Sequence, residues 1–321
     1  NGFGRIGRTI LRQLLASHSD ADIEIVLIND IAPLETCAYL FKYDSLFGVY
    51  PQHVEEHETA VSFGGVKIPF THESDLSKLD LKDIDLVLEC TGIARTADVA
   101  RRGLKAGAKR VLISGPSTAA DATLVLGAND ELLKDQAVVS NASCTTNALA
   151  PLVRILDEGF SLTSAHMTTI HCYTSSQPMV DAPRGPLARS RAGALSMVPT
   201  TTSATHLVTE VLPHLKDRLT GAAVRVPTAS VSCIDLTFST EKPADPDELN
   251  AWIETANPHL IGAVDDPLVS TDLRMRPESF ILAKPETLSA TPHQHRVFGW
   301  YDNEWGFSAR MIDMALKMAP R

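Results

Sequence analysis

The sequence contains no long apolar run. Stretches such as the one around Leu86–Cys90 fall far short of the ~18 residues needed to cross a bilayer, so no membrane span or membrane partner is expected. Basic residues are in deficit, with 29 Lys and Arg against 39 Asp and Glu and a net charge of −10. That balance argues against a surface that follows the phosphates of a nucleic acid or of an anionic membrane. An anionic ligand would therefore need a local basic cluster. Cysteine is sparse: five residues, at 37, 90, 144, 172 and 233, are odd in number and form no CxxC pair. Neither a disulfide framework nor a zinc or other metal site is expected, and a reducing, cytoplasmic compartment fits this usage. No basic-then-apolar leader opens the chain, so no secretory signal is expected. What remains is ordinary globular composition, 44 % hydrophobic and 21 % charged over 321 residues, a length that usually divides into two domains of roughly 150 residues.

Apolar periodicity predicts an alternation of helices and strands through the first 140 residues. Helical stretches are expected at Arg8–His18, Pro33–Phe41 and Ala97–Ala106, and strands at Ile23–Ile28, Leu86–Cys90, Val111–Ser114 and Ala137–Ser140. This is the rhythm of a parallel sheet covered by helices. From residue 144 the pattern changes to β-branched runs, Leu162–Thr174, Ala222–Pro227 and Val231–Thr240, which predict a second domain built on a mixed sheet. Between the first two runs lies Ser175–Thr202, rich in Pro, Gly, Arg and Ser, too long for a plain connection and so read as functional. Phe307–Met318 predicts a closing helix that returns to the first domain.

Gly2-Phe3-Gly4-Arg5-Ile6-Gly7 spells GxGxxG directly before a helical pattern, and Asn29-Asp30 follows a strand pattern about 20 residues later, the offset of an acid that meets a ribose hydroxyl. Gly2 would permit the tight turn, Gly4 would let the backbone approach a pyrophosphate and Gly7 would allow close helix–strand packing. The unpaired N–H groups of the helix start would then attract the phosphates. A glycine turn without a ligand is the bland alternative, and the strand, Asp30 and the alternating context weigh against it. The strand that should feed the loop would precede Asn1 and is expected to have been lost by truncation.

Ser140-Asn141-Ala142-Ser143-Cys144-Thr145-Thr146-Asn147 ends a strand pattern and opens an apolar helical run, Ala148–Leu156. Cys144 thus falls at a helix amino terminus, a placement that lowers a thiol pKa from ~8.5. An activated thiol also needs a nearby base, and His171, at the end of Met167-Thr168-Thr169-Ile170, is the candidate. Taken singly, each residue is more often structural, a buried small hydrophobe or a satisfied histidine. Cys172 is a rival nucleophile, but mid-strand it lacks the helix end.

The segments NGFGRIGR (1–8), SNASCTTN (140–147), TTIHCYT (168–174), VPTTT (198–202), RVPT (225–228) and WYDNEWGFS (300–308) occur in order over nearly the whole chain. Together they resemble the phosphorylating glyceraldehyde-3-phosphate dehydrogenase family. The resemblance implies an α/β fold with a doubly wound parallel-sheet (Rossmann) NAD domain, residues 1–143 and 304–321, and an α+β mixed-sheet catalytic domain, residues 144–303. It also implies a homotetramer, glyceraldehyde 3-phosphate and inorganic phosphate as substrates, and a place in glycolysis and gluconeogenesis. In that family the cysteine matching Cys144 attacks the aldehyde and the histidine matching His171 takes its proton. After hydride transfer, phosphate cleaves the resulting thioester. Carried over position by position, Gly4, Arg5, Ile6, Asp30, Ser114 and Asn303 would contact the cofactor, with Asn303 holding the nicotinamide carboxamide. Thr174 and Arg225 would meet the substrate phosphate; Ser143, Thr202, Ser203 and Arg189, with Thr145 nearby, would meet the attacking phosphate. Arginine forks suit phosphate oxygens, although Arg189 and Arg191 read alone suggest a solvated loop face.

Three positions depart from the family pattern. Ser176 stands where the family commonly has aspartate, Ser203 stands where it has glycine, and Ala182-Pro183 is a hybrid of the Leu-Pro of members limited to NAD and the Ala-Ser of members that use NADP. Ala182 leaves room for a ribose phosphate, but Asp30 would repel one by about 1 kcal/mol or more, so NAD is expected, with NADP the open alternative. An erythrose-4-phosphate dehydrogenase shares the cysteine, the histidine and the NEWGF ending, but Thr174 and Pro199–Thr202 follow the glyceraldehyde type. An arsenate-using paralogue and a catalytically idle dinucleotide-binding regulator are the remaining alternatives; intact Cys144 and His171 argue against idleness.

Overall fold

The structure, a computed structural model, describes residues 1–16, 21–183 and 185–319. The chain forms two compact units: 1–124, 132–142 and 308–321, and 125–131 with 143–307. Three places thus differ from the expected domain limits: Ser143, the N-cap of helix Cys144–Phe160, goes with the second unit, as do 125–131 and 304–307. Residues 125–131 belong to the second unit because Arg154 donates to the Ala128 carbonyl at 2.8 Å and pairs with Glu131. Residues 304–307 do so because the Asp302 carboxylate accepts from the N–H groups of Glu304 and Trp305 at 2.9 and 2.8 Å.

In the first unit, helix Arg5–Ala16 follows the glycine loop and buries Ile10, Leu11 and Leu14; the expected end of this helix at Ser17 and His18 lies outside the described residues. Leu86–Glu89, Arg110–Ile113, Val138–Ser140 and Ala122–Thr123 form a parallel sheet. A second sheet pairs Ile28–Asn29 in parallel with Val66–Thr71, then continues antiparallel through Ala60–Phe63 and Val54–His57. The expected strand Ile23–Ile28 is a correction: ladder pairing holds only at Ile28–Asn29, where Phe70 and Thr71 run alongside. Residues 22–27 instead line one wall of a cleft of about 500 Å³, with Asp83–Leu88 on the other wall. At its end the first two residues join both walls: the Asn1 amino group donates to Leu88 O at 3.0 Å, Cys90 N donates to Asn1 O at 2.7 Å and Gly2 N donates to Asn29 O at 2.8 Å. The expected helix Ala97–Ala106 is broken at Arg101 into Ala97–Ala100 and Arg102–Lys105.

The second unit is a mixed sheet in the order Val198–Thr200, Leu219–Val226, Leu162–Cys172, Ser232–Thr240, Gln294–Tyr301, Phe280–Ala283, Ile261–Val264, with Leu288–Thr291 also paired to Gln294–Tyr301. The Leu219–Val226 strand runs parallel to Leu162–Cys172, and their register sets His171 beside Arg225. Alternate residues of Leu162–Cys172 are buried, as a strand covered on one face requires. The cover is helix Cys144–Phe160, whose Leu149, Leu152, Val153 and Leu156 are wholly buried. The closing helix, Trp305–Met318, belongs to the first unit from Ser308, with Met311, Ile312, Met314 and Met318 buried there.

Candidate active site

In the first unit the glycine loop is shaped for close approach. Gly2 has φ +85°, and a Cβ there would lie 2.7 Å from Cys90 C; a Cβ on Gly7 would lie 2.3 Å from Gly2 O. Both positions exclude a side chain. At Gly4 a Cβ would meet nothing within 4 Å, so the loop is open on that side at the start of helix Arg5–Ala16, where N–H groups and the helix dipole favour an anion. The Asp30 carboxylate accepts from Phe3 N at 2.6 Å and from Ala32 N at 2.8 Å. It thus braces the loop and keeps lone pairs for a ribose hydroxyl. Arg5 is committed elsewhere, in an ion pair with Asp44 and over the Phe47 ring. Ile6 and Ser114 are half-buried, Ser114 N donating to Glu89 O. These residues fit a dinucleotide.

In the second unit the chain enters helix Cys144–Phe160 through Ala142, at φ +54°. Ser143 is the N-cap: its Oγ accepts from Thr146 N at 3.1 Å and lies 2.7 Å from Thr146 Oγ1. Cys144 is therefore the first helical residue, and its Sγ lies 3.7 Å from His171 Nε2. On the opposite side of the ring, Nδ1 donates to Cys172 O at 2.7 Å. That bond fixes the tautomer whose Nε2 is an acceptor facing the thiol. Arg225 Nη1 reaches the same carbonyl at 3.0 Å, stands 3.1 Å from Nδ1 and donates to Thr174 Oγ1 at 3.4 Å.

The electrostatics correct one expectation. Burial pushes the Cys144 thiol up, and Arg225 together with the N–H groups of the helix start pull it down without winning. Burial first, then the Arg225 charge, lowers His171 to about 4. Both shifts favour a thiol facing a neutral imidazole, an arrangement in which Nε2 can accept a proton. The other cysteines are less reactive still. Cys37 and Cys90 are pushed up to about 11, and Cys172 and Cys233 to about 12, all by burial.

The structure brings Cys144, His171, Thr174 and Arg225 into one cluster. Thr174 Oγ1 also pairs with Ser176 Oγ at 2.9 Å, so a hydroxyl occupies the departure position. Arg225 Nε is buried with no partner among the described residues, a donor available to an anion. Arg189 Nε is in the same state, whereas Arg191 is spent on Asp181 at 2.6 Å. Thr202 Oγ1 accepts from Ala204 N at 3.1 Å, and Ser203 is exposed. Thr145 is turned inward, its Oγ1 2.8 Å from the Tyr301 hydroxyl. Asn303 is buried just beyond strand Gln294–Tyr301.

Sequence reading missed Tyr301. Its hydroxyl joins Thr145 of the helix to Thr169 of the strand, at 2.8 and 2.9 Å, and its ring meets His171 edge-on at 6.1 Å. It ties the element bearing the thiol to the element bearing the base. The signal was available: Tyr301 lies within WYDNEWGFS, and its alternation with buried Val297 and Gly299 points it inward.

A dinucleotide loop braced by an acid, with a cysteine–histidine pair on a separate unit, points to a class, the NAD-dependent oxidoreductases. Residues 1–97 match the family model for the glyceraldehyde 3-phosphate dehydrogenase NAD binding domain, and residues 143–303 match that for its C-terminal domain. The chain is 44 % identical to the glyceraldehyde-3-phosphate dehydrogenase of Xanthobacter flavus over 325 residues, covering 99 % of this chain and 97 % of that protein. It is 43 % identical to that of Cereibacter sphaeroides, covering 99 % and 97 %, and 39 % identical to glyceraldehyde-3-phosphate dehydrogenase 2 of Bacillus subtilis, covering 100 % and 96 %. The chain belongs to the glyceraldehyde-3-phosphate dehydrogenase family.

Among the described residues, no helix is long and apolar enough to cross a membrane, and no cluster of three His, Cys, Asp or Glu could hold a metal. Cofactor choice is testable at Asp30. Asp30→Gly should remove the carboxylate that repels a 2′-phosphate and lower the ratio of NAD to NADP kcat/KM about tenfold, the scale of one close charge. An unchanged ratio would take Asp30 off the ribose.

Proposed function

We propose that the chain oxidises glyceraldehyde 3-phosphate to the acyl phosphate 1,3-bisphosphoglycerate, with NAD as hydride acceptor, as a glycolytic enzyme. The observation that carries this reading is the Cys144 thiol 3.7 Å from an acceptor Nε2 of His171, with Arg225 at the same ring. Gly4, Arg5, Ile6, Asp30 and Ser114 would hold the cofactor and Asn303 its nicotinamide end; bound NAD supplies the acceptor for two electrons and a hydrogen.

The residues then act in sequence. His171 Nε2 takes the thiol proton as Sγ attacks the aldehyde carbon, and passes it to the oxygen of the thiohemiacetal. The Cys144 N–H, at the helix start, would stabilise that oxygen while it is charged. When hydride leaves the carbon, Nε2 takes the hydroxyl proton and a thioester remains. A phosphate oxygen attacks the thioester, the C–S bond breaks and Nε2 returns its proton to Sγ, which restores the thiol and the neutral imidazole. Covalent capture splits a hard oxidation into easier steps and keeps its energy in the thioester. Thr174 and Arg225 would hold the substrate phosphate, while Ser143, Arg189, Thr202 and Ser203 would hold the incoming one, with Thr145 nearby.

The same reading assigns cofactor binding to residues 1–143 and 304–321, chemistry to 144–303, a cytoplasmic setting and a homotetramer. Exposed Met179, Val180, Leu187, Leu195 and Met197 in the loop of the second unit support an assembly surface there. The test is NADH formation at 340 nm with glyceraldehyde 3-phosphate, with and without phosphate, beside erythrose 4-phosphate. Phosphate-dependent turnover of the three-carbon aldehyde is expected. Preference for the four-carbon aldehyde, or indifference to phosphate, would overturn the assignment.

A further inference from the structure

Cys172 follows the base directly, yet the mechanism does not use it. It ends strand Leu162–Cys172, is 1 % exposed, and its backbone N–H donates to Ser232 Oγ at 3.2 Å. Its Sγ donates to Asn303 Oδ1 at 3.1 Å. The backbone around Asn303 is fixed independently, because the carboxylate of Asp302 accepts from Glu304 N, Trp305 N and Met275 N. The orientation of the side chain is left to its own contacts, of which the bond from Cys172 is one.

An amide has two faces that differ in hydrogen-bond sense, an acceptor oxygen and a donor NH2. A thiol donates weakly and accepts weakly; here it donates, and the rotamer in place turns Oδ1 to the sulfur. The flipped amide would exchange this bond for an N–H···S contact to a weak acceptor. Burial keeps the thiol up at about 12, so it remains a donor throughout the working pH range.

We propose that Cys172 is a positioning residue that fixes the rotamer of the Asn303 carboxamide, so that Nδ2 is the group offered to the cofactor and the carboxamide oxygen of a nicotinamide is what it selects. The proposal rests on the reading that Asn303 meets the nicotinamide. Without the S–H donor the amide gains a second rotamer, and in that state an acceptor oxygen faces the nicotinamide oxygen. The cost falls on recognition of the nicotinamide end alone.

The experiment uses the full chain with glyceraldehyde 3-phosphate and phosphate. Cys172→Ala is expected to raise the KM for NAD about tenfold, the effect of one hydrogen bond. The KM for the aldehyde, the alkylation rate of Cys144 and the affinity for ADP-ribose, which lacks the nicotinamide, should each stay within about twofold. Cys172→Ser restores a donor and should return the KM for NAD to near its starting value. With Asn303→Ala in place, adding Cys172→Ala should have no further effect, since the amide it orients is gone. Equal loss of ADP-ribose affinity, failure of Cys172→Ser to rescue, or additive effects in the double variant would overturn the proposal. If Asn303→Ala raises the KM for NAD and Cys172→Ala does not, the proposal fails alone. If Asn303→Ala leaves that KM unchanged, the reading of Asn303 fails and the proposal goes with it.

Discussion

Cys144→Ser is expected to lower aldehyde oxidation by ~10⁴-fold or more, the scale on which removal of a nucleophile acts, while the affinity for NAD stays unchanged. The hydroxyl fits the same position, but it is a far weaker nucleophile than a thiol. His171 Nε2 would still accept its proton, so the geometry survives and the chemistry does not. Cofactor binding is unaffected because the loop around Gly4 and the Asp30 carboxylate lie in the first unit, whereas Cys144 lies in the second. Residual turnover within tenfold of the starting enzyme would sink the covalent mechanism. A labelling comparison sharpens the test. Cys37, Cys172 and Cys233 are at most 4 % exposed, and their thiols, like that of Cys90, are held at about 11 or 12. Iodoacetamide should therefore modify Cys144 well ahead of the rest, and equal slow labelling of all five would favour a binding module instead.

The parts of this molecule that were legible in the sequence are those in which one local rule decides the outcome. GxGxxG before an amphipathic run specifies its own turn, because Gly2 and Gly7 leave no space for a Cβ. Ser143 three residues ahead of Thr146 caps the helix that presents Cys144. What escaped depends on partners distant in the chain. The strand expected at Ile23–Ile28 is a good apolar run, but it forms a ladder only where Phe70 and Thr71 meet it. The antiparallel segment Val54–Thr71 is too short and polar in period to stand out. The thiol was expected to be lowered by its helix end, and burial, which sequence does not reveal, outweighed that effect. The contact of Arg225 with His171 is a matter of parallel register between strands more than fifty residues apart, and no local pattern encodes it.

That register sets the terms of the second large effect. His171→Asn is expected to slow acylation of Cys144 by between ~10² and ~10⁴-fold, the usual contribution of a positioned base, with a smaller change in the affinity for NAD. The pH dependence separates loss of a base from loss of structure. Because His171 is held at about 4 in the folded chain, its Nε2 is already neutral at pH 6, and kcat/KM should not fall on acidification until the pH approaches 4. An ordinary histidine would impose that fall near 6.5. Asparagine removes the titrating group, so the variant should lose this acid limb altogether. Stability runs in the same direction. An imidazole with a lowered pKa binds fewer protons folded than unfolded, so it stabilises the fold fully above ~6.5 and loses that contribution as the pH falls toward 4. The variant should therefore lose less thermal stability than the parent between pH 6.5 and 4. An acid limb near 6.5 in the parent would overturn the lowered imidazole, and one that persists in His171→Asn would remove His171 from the role of base.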